Sequence, residues 1–168
     1  MTVRPARAAM PRWLGAGLLL AALAGCATPQ RSAVEPGVAV WTGRLALSVQ
    51  ANPPQAFSAG FELKGAPATG ELTLFTPLGG TLAVLAWAPG SATLRSSDGV
   101  RQFASLEALA AEVTGADLPV AALFDWLAGK ATPVAGWQAD VSEVASGRLR
   151  AQRSAPPPTA DLRIAFDK

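Results

Sequence analysis

Between Trp41 and Phe103 apolar and polar residues alternate with a period of two, interrupted at short intervals by proline, glycine and asparagine. Trp41, Gly43, Leu45, Leu47 and Val49 share one face, and Thr42, Arg44, Ala46 and Ser48 share the other, as in a strand buried on one side. Asn52-Pro53-Pro54 breaks this run, after which Phe57, Ala59, Phe61 and Leu63 alternate with Ser58, Gly60, Glu62 and Lys64. Gly65-Ala66-Pro67 leads into a third strand over 69–76, and Pro77-Leu78-Gly79-Gly80 separates it from a fourth over 81–87, so these two form a hairpin. The fourth is apolar on both faces from Leu82 onward, which predicts a cover for its second side. Pro89-Gly90 and Ser97-Asp98-Gly99 mark turns around two shorter strands, 91–96 and 100–104.

The period then becomes helical. Ser105 is placed to cap, Glu107 sits in the first turn, and Leu106, Leu109, Ala110 and Val113 form an apolar stripe that ends before Gly115. Pro119 suits a helix start, and Val120, Leu123, Phe124 and Leu127 form a second stripe closed by Gly129. Alternation returns over 136–141, 147–153 and 161–166, where Leu162, Ile164 and Phe166 share a face. Ala155-Pro156-Pro157-Pro158 reads as an exposed connection, because proline cannot donate to a ladder. Nine strands with two helices inserted after the sixth predict an α+β fold, an antiparallel sheet curled around the helices as a half-open barrel. Its inner face then presents Leu45, Leu47, Phe57, Phe61, Leu72, Leu74, Leu162 and Ile164, with no charge among them. These residues line either a filled core or a cavity. Composition by itself favours the core, since most apolar strand faces simply pack.

Ahead of the first strand the pattern is of another kind. Arg4, Arg7 and Arg12 precede an apolar run from Trp13 to Leu23, and small residues follow, the three parts of a secretory signal. The run is about half of the roughly 20 residues a bilayer-spanning helix needs. Leu23-Ala24-Gly25-Cys26 resembles the bacterial lipobox, which implies a diacylglyceryl group on the Cys26 sulfur, cleavage before Cys26 and acylation of the new amino terminus. Ala27 is not the aspartate that typically retains such lipoproteins in the inner membrane, so the implied destination is the outer membrane. The segment from Ala27 to Ala39 shows no apolar period and reads as a tether. From Cys26 to Trp41 it reaches about 50 Å when extended and averages roughly 20 Å as a coil. The expected organisation is a signal over 1–25, a lipidated N-terminus and tether over 26–40, and one β-barrel domain over 41–168, long enough to bury a core without disulfides.

Charge narrows the function. The whole chain carries a formal +2, but three of its arginines belong to the signal, and residues 26–168 keep 11 Lys and Arg against all 12 Asp and Glu. No clustered basic surface for nucleic acid is expected on such a domain. The chain has no histidine, which removes the commonest general base and metal ligand, and its single cysteine is consumed by acylation. Serine–histidine and cysteine–histidine mechanisms are thereby excluded. Asp98, Asp117, Asp125 and Asp161 fall in turns, helix starts and an alternating outer face, and read as solvated carboxylates. No glycine-rich phosphate loop or calcium-binding acidic run is present in the sequence. Binding is the expected activity, with no metal and no cofactor.

Thr76-Pro77-Leu78-Gly79 on a hairpin, Leu118-Pro119 leading into Trp126-Leu127-Ala128-Gly129, and then Gly136-Trp137 together resemble the outer-membrane lipoprotein receptor family LolB. The similarity runs from Trp41 over most of the remaining chain, and its specificity lies in the order and spacing of short motifs. Three departures stand against the pattern: the short segment between Gly129 and Trp137, the absence of tyrosine, and Ala139 and Asp140 where apolar strand residues are expected. The resemblance implies a monomer that accepts acylated lipoproteins from a soluble periplasmic LolA-like carrier, holds their acyl chains in a half-open barrel lidded by helices, and inserts them into the outer membrane. It adds Leu123 and Leu127 to the inner-face residues as cavity candidates. It also makes Pro77, Leu78 and Gly79 a membrane-insertion loop, with Leu78 at the third position of a type I turn and pointing outward. Trp126 and Trp137 are read as core aromatics, and Arg44 as part of a solvated strand face. The competing expectation is a structural envelope lipoprotein whose β-domain docks on other envelope proteins and has no lipid cavity. An envelope hydrolase working with carboxylates is the more remote third.

Overall fold

The computed structural model describes residues 38–114 and 118–167. Cys26, the signal, most of the tether and Asp117 lie outside the described residues. The strands are β1 (Ala39–Val49), β2 (Gln55–Ala66), β3 (Thr69–Phe75), β4 (Thr81–Ala88), β5 (Ser91–Ser96), β6 (Gly99–Phe103), β7 (Trp137–Asp140), β8 (Arg148–Arg153) and β9 (Ala160–Phe166). Helices α1 (Leu106–Thr114) and α2 (Val120–Leu127) lie between β6 and β7, and a 3-10 turn at Val144–Ser146 joins β7 to β8. All nine strands form one antiparallel sheet in the order β6-β5-β4-β3-β2-β1-β9-β8-β7, with β6 and β7 as its two edges. The sheet is therefore open. Leu94 near one edge and Leu162 and Ile164 on β9, four strands beyond β4 in the sheet, face the same interior, which requires the sheet to curl.

The alternation seen in sequence is the physical basis of this curl. Leu47, Val49, Ala59, Phe61, Leu63, Leu72, Leu74, Leu85 and Ile164 are all buried on the inner face. Against them packs α2, with Val120, Ala122, Leu123, Phe124, Trp126 and Leu127 buried. Helix α1 begins as its cap predicts: the Ala108 N–H donates to Ser105 Oγ at 3.2 Å. Helix α2 ends where the Gly129 N–H donates to the Trp126 carbonyl at 3.0 Å, with Gly129 at a φ of 84° that glycine alone adopts freely.

Several expectations are corrected. Ala39 and Val40, read as the end of the tether, already pair with Gly65 and Lys64, because β2 extends beyond the apolar pattern and offers backbone partners there. The cover expected on the second face of β4 is incomplete among the described residues, where Val84 and Ala86 stay half-buried. At its start the register shifts between Leu74 and Phe75, so that Leu82 is an extra residue without a partner. This bulge brings Leu82 to the rim of the interior beside Ala83, where it stays partly exposed. Asp125 lies in the last turn of α2 rather than in a turn or helix start, and its carboxylate accepts a 2.7 Å hydrogen bond from Thr132 Oγ1, tying the helix to the loop that follows. The polar residues of the late strands are accommodated at the sheet's edge: β7 is only four residues long, and Asp140 pairs with Arg150 in register.

Candidate functional site

The curled sheet and the two helices enclose a cavity of about 690 Å³, within the roughly 300–1,000 Å³ range of small-molecule sites. The filled core that composition favours is thus not what the fold builds. All ten candidate residues line this cavity: Leu45, Leu47, Phe57, Phe61, Leu72 and Leu74 from β1, β2 and β3, Leu123 and Leu127 from α2, and Leu162 and Ile164 from β9. Sequence reasoning missed Val49, Leu63, Leu85 and Leu94, which share the same strand parity and were open to the same argument. It also missed Ala110 and Val113 of α1, whose stripe was recognised without a destination.

The cavity is closed at one end and open at the other. Trp41 near the start of β1 and Trp87 near the end of β4 each meet Phe124 of α2 edge to face, with ring centroids 5.6 Å and 6.1 Å apart. The Trp87 indole N–H donates to the Pro67 carbonyl at 3.1 Å, so this plug leaves its polar atom satisfied. Trp126 and Trp137 lie outside the cavity lining; both are buried, 6.3 Å apart between ring centroids, and the Trp126 N–H donates to the Thr132 carbonyl at 2.9 Å. At the other end the lining residues Pro54, Gln55, Ala56, Phe57, Leu82, Ser97, Asp98 and Val113 are exposed and form the mouth.

The β3–β4 hairpin belongs to the mouth end, since in an antiparallel meander the turns after β1, β3 and β5 lie together. Its backbone is tightly closed. The Gly79 N–H donates to the Thr76 carbonyl at 2.9 Å, the Thr76 N–H to the Gly80 carbonyl at 2.8 Å, and the Gly80 N–H to Thr76 Oγ1 at 3.1 Å. Gly79 has a φ of 84°, as a three-residue loop with a glycine bulge requires. Leu78 stands at the tip with 99% of its surface exposed.

Charge is kept off the deep cavity lining, and the buried Arg153, which lies outside that lining, donates to the Pro158 carbonyl at 3.2 Å. Arg44 is exposed on the outer face of β1. Lys64 bridges Glu62 at 3.0 Å and Glu71 at 3.3 Å, and its pKa is raised above 10.5, first through the hydrogen bond to Glu62. Asp161 pairs with Arg163 at 2.7 Å and accepts from Gln152 at 3.1 Å. Asp140 accepts from the Ser142 hydroxyl at 2.6 Å and its N–H at 3.0 Å, which lowers its pKa below 3.8, the hydroxyl contributing most. No group of three or more metal-binding side chains occurs among the described residues.

An apolar cavity with an apolar-tipped hairpin beside its mouth can shelter hydrocarbon and deliver it nearby. The sequence matches the family described as Outer membrane lipoprotein LolB over residues 40–160. It is 33% identical over 183 residues to the outer-membrane lipoprotein LolB of Bordetella petrii, covering 93% of this chain and 92% of that protein. The protein of the same name in Bordetella parapertussis is 37% identical over 138 residues, with 77% and 69% covered. That of Cupriavidus pinatubonensis is 34% identical over 140 residues, with 81% and 67% covered. The matched region contains the cavity-lining strands β2–β5 and nearly all of β1, both helices and the hairpin, with β9 almost wholly beyond it, and the chain belongs to the LolB family of outer-membrane lipoproteins.

Proposed function

We propose that this chain is a lipid-anchored receptor that accepts acylated lipoproteins from a soluble periplasmic carrier, holds acyl chain in its cavity and passes it into the outer membrane. The observation that carries this reading is the placement of the mouth of an apolar cavity and an exposed leucine-tipped hairpin at one end of the barrel. A methylene takes up about the space of a water molecule, near 30 Å³. The cavity of 690 Å³ therefore holds on the order of twenty such units, enough for one sixteen-carbon chain.

Burial of each methylene stabilises the bound chain by about 0.8 kcal/mol relative to water. The bilayer offers nearly the same stabilisation, so transfer from cavity to membrane is close to balanced and the barrier lies in exposure to water on the way. A mouth brought to the membrane surface shortens that exposure, and Leu78 holds it there. No covalent step is involved, and the receptor acts as a monomer without a cofactor. Cys26 carries the anchor: two or three acyl chains at about 0.8 kcal/mol per methylene hold a protein on a membrane without a spanning helix.

The test is reconstituted transfer. Carrier loaded with labelled lipoprotein is mixed with outer-membrane vesicles bearing the receptor, and label is followed into the bilayer. Receptor-dependent movement of label supports the reading. Label that stays on the carrier whether or not the receptor is present overturns it.

A further inference from the structure

The cavity lining is divided in a way that the transfer of hydrocarbon alone does not require. Its four polar side chains, Gln55, Ser96, Ser97 and Asp98, all sit at the mouth, and Asp98 is the only one that carries a charge. Gln55 opens β2 on one side, the end of β5 supplies Ser96 and the β5–β6 turn supplies Ser97 and Asp98. The Asp98 N–H donates to Ser96 Oγ at 3.3 Å, which fixes the turn. The inner-face cation nearest in the register, Arg101, opposite Leu94, is committed to Glu112 of α1 at 2.7 Å. Arg95 lies on the outer face, opposite Val100. Asp98 makes no ion pair among the described residues, so its negative charge stands unbalanced at the rim.

We propose that this rim selects the headgroup. It admits acyl chains that end in neutral amides or esters and turns away chains that end in phosphate, sulfate or carboxylate, with Asp98 as the specificity-determining residue. The inference rests on the reading of the cavity as an acyl site. The chemistry follows from the groups present: the Gln55 amide and the serine hydroxyls donate to carbonyl oxygens, whereas a carboxylate repels an anion. An acylated cysteine joins its chains through amide and ester links that carry no charge. A bilayer phospholipid carries phosphate close to its chains. A cavity opening beside a membrane is exposed to a large excess of phospholipid, and a negative rim biases it toward the neutral cargo. Two unit charges about 7 Å apart across water change an equilibrium by a factor of about three, and salt screens that effect.

The described residues share one hydrophobic core, so the test uses residues 26–168, exported behind a cleavable secretory signal with Cys26→Ala. Displacement of a fluorescent neutral acyl probe by 1-monopalmitoylglycerol and by hexadecyl sulfate is measured at low salt, below their micelle-forming concentrations. Asp98→Asn is expected to tighten hexadecyl sulfate about three-fold and leave monopalmitoylglycerol unchanged. Asp98→Lys tightens the sulfate further, and high salt removes the differences; melting temperatures show that each variant is folded. Affinities for both ligands that do not change in either variant overturn the selector. Failure of both ligands to displace the probe from the wild type overturns the acyl-site reading beneath it.

Discussion

Leu78→Glu separates folding from delivery. The three hydrogen bonds that close the hairpin come from backbone groups and Thr76 Oγ1, and the Leu78 side chain is 99% exposed, so the folded domain loses no packing. The expected change in stability is within about 0.5 kcal/mol, as for other exposed positions away from special features. Lipid contact is another matter. Burying a leucine side chain contributes about 1.5–3 kcal/mol, and at about 1.4 kcal/mol per factor of ten this is roughly a ten- to hundred-fold bias toward the membrane-engaged pose. Glutamate removes that gain and adds the cost of desolvating a charge. Wild type and variant are loaded with the same lipoprotein from the carrier, and its appearance in outer-membrane vesicles is followed in time. Loading should be equal and delivery slowed at least ten-fold, with Leu78→Ile restoring most of the rate. Equal delivery at equal loading would return Leu78 to an ordinary turn residue.

Other consequences can be checked separately. Cys26→Ala behind a cleavable secretory signal should yield a soluble periplasmic protein; fractionation with membranes would remove the anchoring role of Cys26. Ala83→Leu, at a buried position facing the cavity, should hold or raise the melting temperature while weakening acyl binding, because it fills empty space; in a packed interior the same change costs about 1–3 kcal/mol. Ser142→Ala should move the Asp140 carboxyl up toward 3.8, since the lost hydroxyl is the main cause of its lowered pKa, and carboxyl NMR across an acid titration reads this directly. The sign for stability follows: the Asp140 contact is fully present above the ordinary value and is lost as pH falls through the lowered one.

The strands and helices were legible because each break carries its own chemistry. Asn52-Pro53-Pro54, Pro77 to Gly80 and Pro89-Gly90 stop alternating runs, and Ser105 and Gly129 bound helical ones, so β1 to β6, α1 and α2 lie where the pattern puts them. The candidate cavity residues were legible by parity, since Leu45, Leu47, Phe61 and Leu72 can share only one face. Whether that face is filled was not. The void depends on how far α2 stands from the sheet, and the contacts at the closed end bring Phe124 onto Trp87 and onto Trp41, the latter more than 80 positions away in the chain. The same holds for the rim, where Gln55 and Asp98 come to line one mouth only after the sheet curls. The bulge at Leu82 depends on the partner strand's register, which no period within β4 reveals.

The central claim is that acyl chain occupies this cavity, and photocrosslinking from the chain itself tests it most directly. A lipoprotein cargo bearing a diazirine at the far end of an acyl chain is loaded from the carrier, irradiated before delivery, and the labelled receptor peptides are identified by mass spectrometry. The account predicts labels on cavity residues deep in the sheet and on α2, such as Phe61, Leu72, Leu123 and Leu127. Labels confined to outer-face residues such as Arg44 and Arg163, with the cavity residues unmarked, would contradict it.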